Sequence, residues 1–536
     1  MPTKLTSWLK SPFWFNLPLP AFNLIYAAAT VILYNGMFFK YVRDYNPSWL
    51  FLSCVFIGLT AVFFLAASLL FRGRLAKPLA VTFVILNAVI FYFMYVFNAA
   101  IDKIMLLNAL RSDIYEAGDL FSPKFFGIFL FWGVLPALLI LKTQIRPASR
   151  KFQLISCGTA AALLAAVMLI RLPATDAFLR ASRGMRYFLA PANYIGAIIS
   201  VAKIKAKPTP PLVKIGEDAD MMPYWNNQKK NLFVFVMGET ARAANFSLGG
   251  YQRPTNAPLA SYLDEIIYFD NAWSCGTATA VSVPCTFSKD ARGKFKPGTE
   301  VYTENLLDIL TRVNYKVLWR ENNTGCQYVC DRVELEDPCR GKNTCLDEVM
   351  LDNLPARIKN FEQNAFIVLH QRGSHGPAYS EHYPQDTELW TPVCHQKDFP
   401  YCSYDSMVNV YDNSIYYTSR FLAQTIEQLK PLSKEYNTIL FYISDHGESL
   451  GENGKFLHSA PYDSAPDYQK HIPFLIWMPD NIARDFNISR DCLLQNKSQY
   501  RSQDNIFHSV LGLSGIKTSL YNPALDIFAA CRKSGK

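Results

Sequence analysis

Glu239 stands directly after an apolar run, Leu232 to Met237, and a single glycine, Gly238. Such a run reads as a strand buried on both faces that ends in a tight turn. Much later in the chain Thr438 to Ser444 is a second run of this kind, followed at once by Asp445, His446, Gly447 and Glu448. In open α/β sheets ligands bind outside the carboxyl ends of the strands, so both runs deliver acids to the edge where chemistry is done. Two carboxylates and an imidazole form an oxygen and nitrogen donor set that suits Zn²⁺ better than Mn²⁺. Three protein ligands with a fourth position left open are the pattern of a catalytic site rather than a structural one. Either run alone reads equally well as a helix-start acid or a capping turn.

A third group adds a hydroxyl. Ser274 to Cys285, SCGTATAVSVPC, is dense in Ser and Thr and bracketed by two cysteines, so a disulfide between them would clamp the loop. Thr279 falls near the start of the helix that follows, where backbone N–H groups and the positive helix end favour an incoming phosphate. A threonine hydroxyl is a poor nucleophile at neutral pH, and a bound divalent cation activates it as it does water, by stabilising the deprotonated form. Glu239, Thr279, Asp445 and His446 together supply what a metal-plus-hydroxyl site needs. All eight histidines follow residue 369. His375, in GSHGP just beyond a strand ending at Leu369, and His458, after the Gly-rich turn 447–454, suggest a second metal or a charged headgroup. His370, His382, His395, His471 and His508 read as structural.

The elements that must position these groups begin at Asn231. Strands are expected at 232–237, 316–319, 365–369, 438–444 and 472–477, with amphipathic helices such as 404–429 between them. That alternation predicts an α/β domain over 231–536, a mostly parallel sheet sandwiched between helices. The preceding residues are of another kind. Half of the 536 residues are apolar, and they concentrate in five long runs, Phe22–Phe39, Phe51–Phe71, Leu79–Phe97, Phe125–Leu141 and Leu154–Ile170. Each is long enough, or nearly so, to cross a hydrocarbon core of about 30 Å. Residues 1–172 are therefore expected to be a membrane α-helical domain with five helices. The first run is not a cleaved signal peptide, since further spans follow at short intervals and no small-residue cleavage pattern ends it.

Loop charge orients the spans. Lys4 and Lys10 precede the first, Arg72, Arg74 and Lys77 follow the second, and Lys142, Arg146, Arg150 and Lys151 follow the fourth. These loops belong inside, so an odd number of spans exports everything after about residue 172. Residues 173–230 form a bridge: Asp176–Lys207 mixes apolar residues with Arg180, Arg183, Arg186, Lys203 and Lys205, as suits helices in the headgroup layer, and KPTPPL at 207–212 breaks any helix. Cysteine usage agrees with export. Only Cys54 and Cys157 lie among the spans, while ten others follow residue 270 in close pairs, which reads as disulfides in an oxidising compartment. A Cys₄ zinc site from Cys326, Cys330, Cys339 and Cys345 is the alternative.

GETAR at 238–242, SCGTATAVSVPC at 274–285, GSHGP at 373–377 and SDHGESLGENG with LH at 444–458 resemble the lipid A phosphoethanolamine transferases of Gram-negative bacteria, the family that includes the mobile colistin resistance enzymes. The resemblance covers the whole chain, spans included. It implies an inner-membrane protein whose periplasmic domain belongs to the alkaline phosphatase superfamily, with zinc held by Glu239, Thr279, Asp445 and His446. It also implies that Thr279 is the residue modified by phosphoethanolamine, and that His375 and His458 bind a second zinc or the substrate phosphate. The implied disulfides are Cys275–Cys285, Cys326–Cys330, Cys339–Cys345, Cys394–Cys402 and Cys492–Cys531. Phosphatidylethanolamine is the implied donor and lipid A the implied acceptor, in a monomer among inner-membrane lipids with no nucleic-acid partner. The implied outcome is resistance to polymyxins and other cationic peptides.

Other readings are a transferase acting on another envelope glycan, a membrane-anchored phosphatase or sulfatase-like hydrolase, and a non-catalytic sensor. The sulfatase pattern, Cys or Ser followed by x-Pro-x-Arg, starts at Ser282-Val283-Pro284-Cys285 but breaks at Thr286. The topology predicts that an alkaline phosphatase reporter fused after Lys536 is active and a cytoplasmic reporter there is inactive; the reverse pattern contradicts it.

Overall fold

The computed structural model describes residues 14–111, 118, 120–170, 184–206, 210–223, 229–323, 325–340, 345–397 and 399–533. The chain divides into two compact units, Met1–Leu106 with Phe121–Ser200, and Leu107–Leu120 with Val201–Lys536. The basic stretch and linker expected between spans and sheet lie partly outside the described residues, at 171–183 and 207–209.

Among the described residues of the first unit four helices are long and apolar enough to cross a membrane: Trp49–Leu70, Gly73–Val96, Pro123–Leu141 and Arg150–Leu169. The run expected as one span over Phe22–Phe39 is instead two helices, α1 (Leu19–Tyr34) and α2 (Gly36–Tyr45), bent by 70°. Asn35 sits at the break, fully buried. Its Nδ2 donates to the carbonyls of Thr30 and Ala190, both at 3.0 Å, and its Oδ1 accepts the Ala190 N–H at 2.8 Å. A side chain that inserts into the helical ladder in this way is an ordinary cause of a sharp kink. The next helix, α3 (Trp49–Leu70), packs through Ala61 and Phe64 against Ala27 of α1 and Ala160 of the helix Arg150–Ile170. Small residues at these crossings let the helices approach closely.

The second unit is built on seven strands: β1 (Lys230–Gly238), β2 (Ile266–Phe269), β3 (Lys316–Glu321), β4 (Glu334–Glu336), β5 (Ala365–His370), β6 (Tyr436–Ser444) and β7 (Phe474–Trp477). Their order is β2-β7-β6-β1-β5-β3-β4. From β6 to β4 all neighbours run parallel, whereas β7 is antiparallel to both β6 and β2, so the sheet is mixed at one edge. The central strands are buried along nearly their whole length, as the continuous apolar runs require. Register decides where the acids go. Gly238 pairs with Ser444 and Met237 with His370, so Glu239 and Asp445 leave adjacent parallel strands at one level, and Gln371 leaves the third one residue earlier.

Phe235, fully buried at mid-strand, packs edge-on against Phe287 and stacks with Phe366 of the neighbouring strand. The long helix Tyr404–Leu429 starts on Ser403, whose hydroxyl accepts the Ser406 N–H. Disulfides join Cys275–Cys285, Cys326–Cys330, Cys339–Cys345, Cys394–Cys402 and Cys492–Cys531, while Cys54 and Cys157 are free. Phe235→Ala leaves a cavity that its strand-bound neighbours cannot collapse into, and should cost about 3 to 5 kcal/mol of unfolding free energy. Denaturant titration of the full chain measures this; a loss below about 1 kcal/mol contradicts the packing described.

Candidate metal and nucleophile site

The turn after β1 puts Glu239 and Thr240 under the sheet edge, both buried. Thr240 has a φ of 60°, a left-handed conformation that costs a β-branched residue energy and persists only where contacts enforce it. Those contacts are visible. The Thr240 N–H donates to Asp445 Oδ1 at 3.0 Å, its hydroxyl donates to Glu239 Oε1 at 2.5 Å, and its carbonyl accepts from Tyr411 Oη at 2.7 Å. One residue thereby fixes an oxygen on each of two carboxylates.

The remaining groups converge from other elements. Thr279 is the first residue of the helix Thr279–Thr286, whose approach loop is clamped by the Cys275–Cys285 disulfide. Its Oγ1 lies 3.3 Å and 3.4 Å from the two oxygens of Glu239 and 3.3 Å from His446 Nε2. His446 Nε2 in turn lies 3.2 Å from Asp445 Oδ2 and 3.5 Å from Glu239 Oε1. Ligand atoms of Glu239, Asp445 and His446 all fall within 4.8 Å of one another.

The donor chemistry tests whether a cation fits. His446 Nδ1 is 2.9 Å from the Gly447 carbonyl, which can only accept, so Nδ1 carries the proton and Nε2 presents a lone pair. That lone pair faces carboxylate oxygens, an arrangement of acceptor against acceptor. Asp445 Oδ2 is buried and has no hydrogen-bond partner among the described residues. Burial pushes Asp445 up to about 6, and burial together with the nearby His458 pushes His446 down to about 4. Charge of the missing sign at this point would satisfy every one of these groups, and a divalent cation with oxygen and nitrogen ligands supplies it.

Beside this cluster stands a second. The His458 ring centroid is 4.3 Å from that of His446 and 5.6 Å from that of His375. His458 Nδ1 is 3.3 Å from Glu448 Oε1, and Tyr379 Oη donates to Glu448 Oε2 at 3.1 Å. Burial pushes Glu448 up to about 8. His382, read from sequence as structural, is 6.5 Å from His375 by ring centroid, and burial with the Arg372 charge holds it well below the usual imidazole range.

Four positioning residues escaped sequence reasoning. Besides Thr240, Asn323 donates to Glu239 Oε2 at 2.8 Å and to the Gln371 carbonyl at 2.7 Å. Gln503 accepts the Cys275 N–H at 2.7 Å and donates to the carbonyls of Ser444 and Asp445, tying the Thr279 loop to the end of β6. Asp347, fully buried, accepts from Arg372 N, Gly373 N, Asn322 Nδ2 and Gln371 Nε2. It thus shapes the loop in which Ser374 N donates to the Glu239 carbonyl. Gly373 of that loop has a φ of 53°, and a Cβ there would meet Glu239 O at 2.8 Å.

A family described as Sulfatase matches residues 231–516, and one described as Phosphoethanolamine transferase EptA/EptB matches residues 59–206. The phosphoethanolamine transferase EptA of Escherichia coli K12 is 37% identical over 546 residues, spanning 98% of each chain. The chain belongs to the phosphoethanolamine transferase family. The phosphatidylethanolamine transferase Mcr-1 of Escherichia coli is 33% identical over 87% of this transferase and 91% of its own length. The solved integral membrane lipooligosaccharide phosphoethanolamine transferase A of Neisseria meningitidis matches with a TM-score of 0.92 at 30% identity, covering 97% of the transferase and 100% of that chain. The transferase is accordingly a multi-pass inner-membrane protein whose C-terminal unit is periplasmic.

Asp347→Leu removes the acceptor of four buried donors, each costing about 1 to 3 kcal/mol when left unpaired. We expect the full-length transferase to lose roughly 3 kcal/mol or more in denaturant unfolding; a change below about 1 kcal/mol would show that water replaces the carboxylate.

Proposed function

We propose that the transferase moves phosphoethanolamine from phosphatidylethanolamine to a phosphate of lipid A by way of Thr279, with zinc held by Glu239, Thr279, Asp445 and His446. The observation that carries the proposal is the convergence of Thr279 Oγ1 on Glu239 and His446 at 3.3 to 3.4 Å, at the first residue of a helix. Zinc, when bound, supplies the positive charge that lowers the pKa of the Thr279 hydroxyl and offsets the two carboxylates.

The chain's own residues do the rest. Thr279 Oγ attacks the phosphorus of the donor, the bond from phosphorus to the diacylglycerol oxygen breaks, and that oxygen leaves as the alcohol with the proton given up by threonine. A lipid A phosphate oxygen then attacks the same phosphorus, and the Thr279 oxygen departs, taking up the proton that the attacking phosphate gives up. The positive end of the helix that begins at Thr279 favours the phosphoryl oxygens. His375 and His458 serve the substrate phosphate from the second cluster, with Glu448 orienting His458. Asn323 and Thr240 keep Glu239 aimed at the nucleophile. The product carries an ethanolamine cation on a formerly anionic phosphate, which weakens attraction of cationic peptides such as polymyxins.

Mass spectrometry of lipid A from cells with and without the protein tests the reading: we expect phosphoethanolamine-modified lipid A only with it, and an unchanged lipid A profile contradicts the assigned acceptor. Among variants, Thr279→Ala should abolish transfer, and Thr279→Ser should keep part of it. Glu239→Ala and Asp445→Ala should abolish transfer and also lower bound zinc, because each strips a carboxylate ligand. Wild-type zinc content in both carboxylate variants would overturn the ligand assignment.

A further inference from the structure

The first unit contains a cleft of about 970 Å³ that the transfer chemistry does not use. Ile32, Phe56, Phe91 and Trp132 give it apolar walls, and Lys40 and Arg43, both exposed on α2, also line it. Among the described residues no carboxylate lines it. Asp44, next in sequence to Arg43, does not line it.

Topology fixes the side on which the cleft opens. Counting back from the periplasmic unit through the four long spans places the start of Trp49–Leu70 and the end of Gly73–Val96 at the periplasmic surface, whether or not α1 crosses. Trp49 and Tyr95 occupy those two ends, line the cleft and are 84% and 55% exposed. Trp and Tyr in such places mark the level of the headgroups. The cleft therefore opens into the outer leaflet of the inner membrane, with its apolar walls toward the hydrocarbon.

Lys40 and Arg43 are then on the side where basic residues are not favoured. The clusters Arg72, Arg74 and Lys77, and Arg146, Arg150 and Lys151, obey the positive-inside rule and need no further reason. A cation pair at the periplasmic face above an apolar cleft does need one. A basic pocket between transmembrane helices is a site for an anionic headgroup, and a guanidinium can hold a phosphodiester through two parallel hydrogen bonds. A zwitterionic headgroup would bring its ammonium among two cations with no acid among the described lining residues to receive it.

We propose that this cleft holds an anionic diacyl glycerophospholipid as a resident lipid, its phosphodiester on Lys40 and Arg43 and an acyl chain between Phe56 and Phe91. The bend at Asn35 makes the site, because a straight α1–α2 would carry both cations away from the apolar wall. The inference rests on topology and not on Thr279, so its failure leaves the transfer reading untouched.

Full-length protein in nanodiscs of mixed phosphatidylethanolamine and phosphatidylglycerol, followed by native mass spectrometry of retained lipid, tests it. We expect phosphatidylglycerol to be retained over its bulk share by about 25-fold, given roughly a fivefold gain for each of the two basic contacts. The double variant Lys40→Gln with Arg43→Gln should lose that enrichment, and Lys40→Arg with Arg43→Lys should keep it. Retention at bulk composition, preference for phosphatidylethanolamine, or undiminished enrichment in the Gln variant overturns the proposal. If the Gln variant fails to assemble, titration of the wild type with each lipid decides it: equal retention of the two lipids overturns the proposal, and preferential retention of phosphatidylglycerol upholds it.

Discussion

Two carboxylates and an imidazole are buried against one another without a lysine or arginine partner among the described residues. Among the described residues neither Glu239 nor Asp445 pairs with a lysine or arginine, although Arg242 lies only three residues from Glu239 and is itself committed to Glu452 at 2.6 Å. Burying such charges unpaired is costly enough that a protein ordinarily protonates or pairs them. Here their oxygens are held by Thr240, Asn323 and the His446 N–H, all of which favour the ionised form. These groups could hold an added cation, and the surrounding framework keeps them from relaxing.

That framework is mainly a matter of register. Because Gly238 and Ser444 are paired in adjacent parallel strands, the residues that follow them emerge at one height, and the Asp445 N–H returns to the Gly238 carbonyl at 2.9 Å. Thr279 arrives from a separate helix, so its distance to the carboxylates depends on links such as Gln503 and the Cys275–Cys285 clamp. A preorganised arrangement of this kind avoids reorganisation at the moment of transfer. The strained φ at Thr240 fits the same logic, since a residue tied at its N–H, its hydroxyl and its carbonyl has little room to relax.

The strands that carry Glu239 and Asp445 were legible because a strand buried on both faces must be a continuous apolar run, and few other elements are. The pairing order was less so. Strand β7 reads like its neighbours, and nothing in Phe474–Trp477 shows that it runs antiparallel; direction is set by the path of the connecting chain. Strand β2, only Ile266–Phe269, is too short to show a period. Phe22–Phe39 was read as one span because hydropathy averages over Asn35, whereas the bend depends on that single side chain meeting Ala190, far away in sequence. Asn323, Gln503 and Asp347 left no signal for a similar reason. Each is an ordinary polar residue whose role appears only when loops distant in sequence meet at the sheet edge.

The central claim is that Thr279 takes the phosphoethanolamine group onto its own oxygen. Incubating the full-length protein with a phosphatidylethanolamine analogue and no acceptor, then mapping its peptides by mass spectrometry, addresses this most directly. The account predicts a phosphoethanolamine mass on the peptide that contains Thr279, lost when lipid A is added. An adduct on another residue, or release of diacylglycerol with no adduct on the protein, would contradict it.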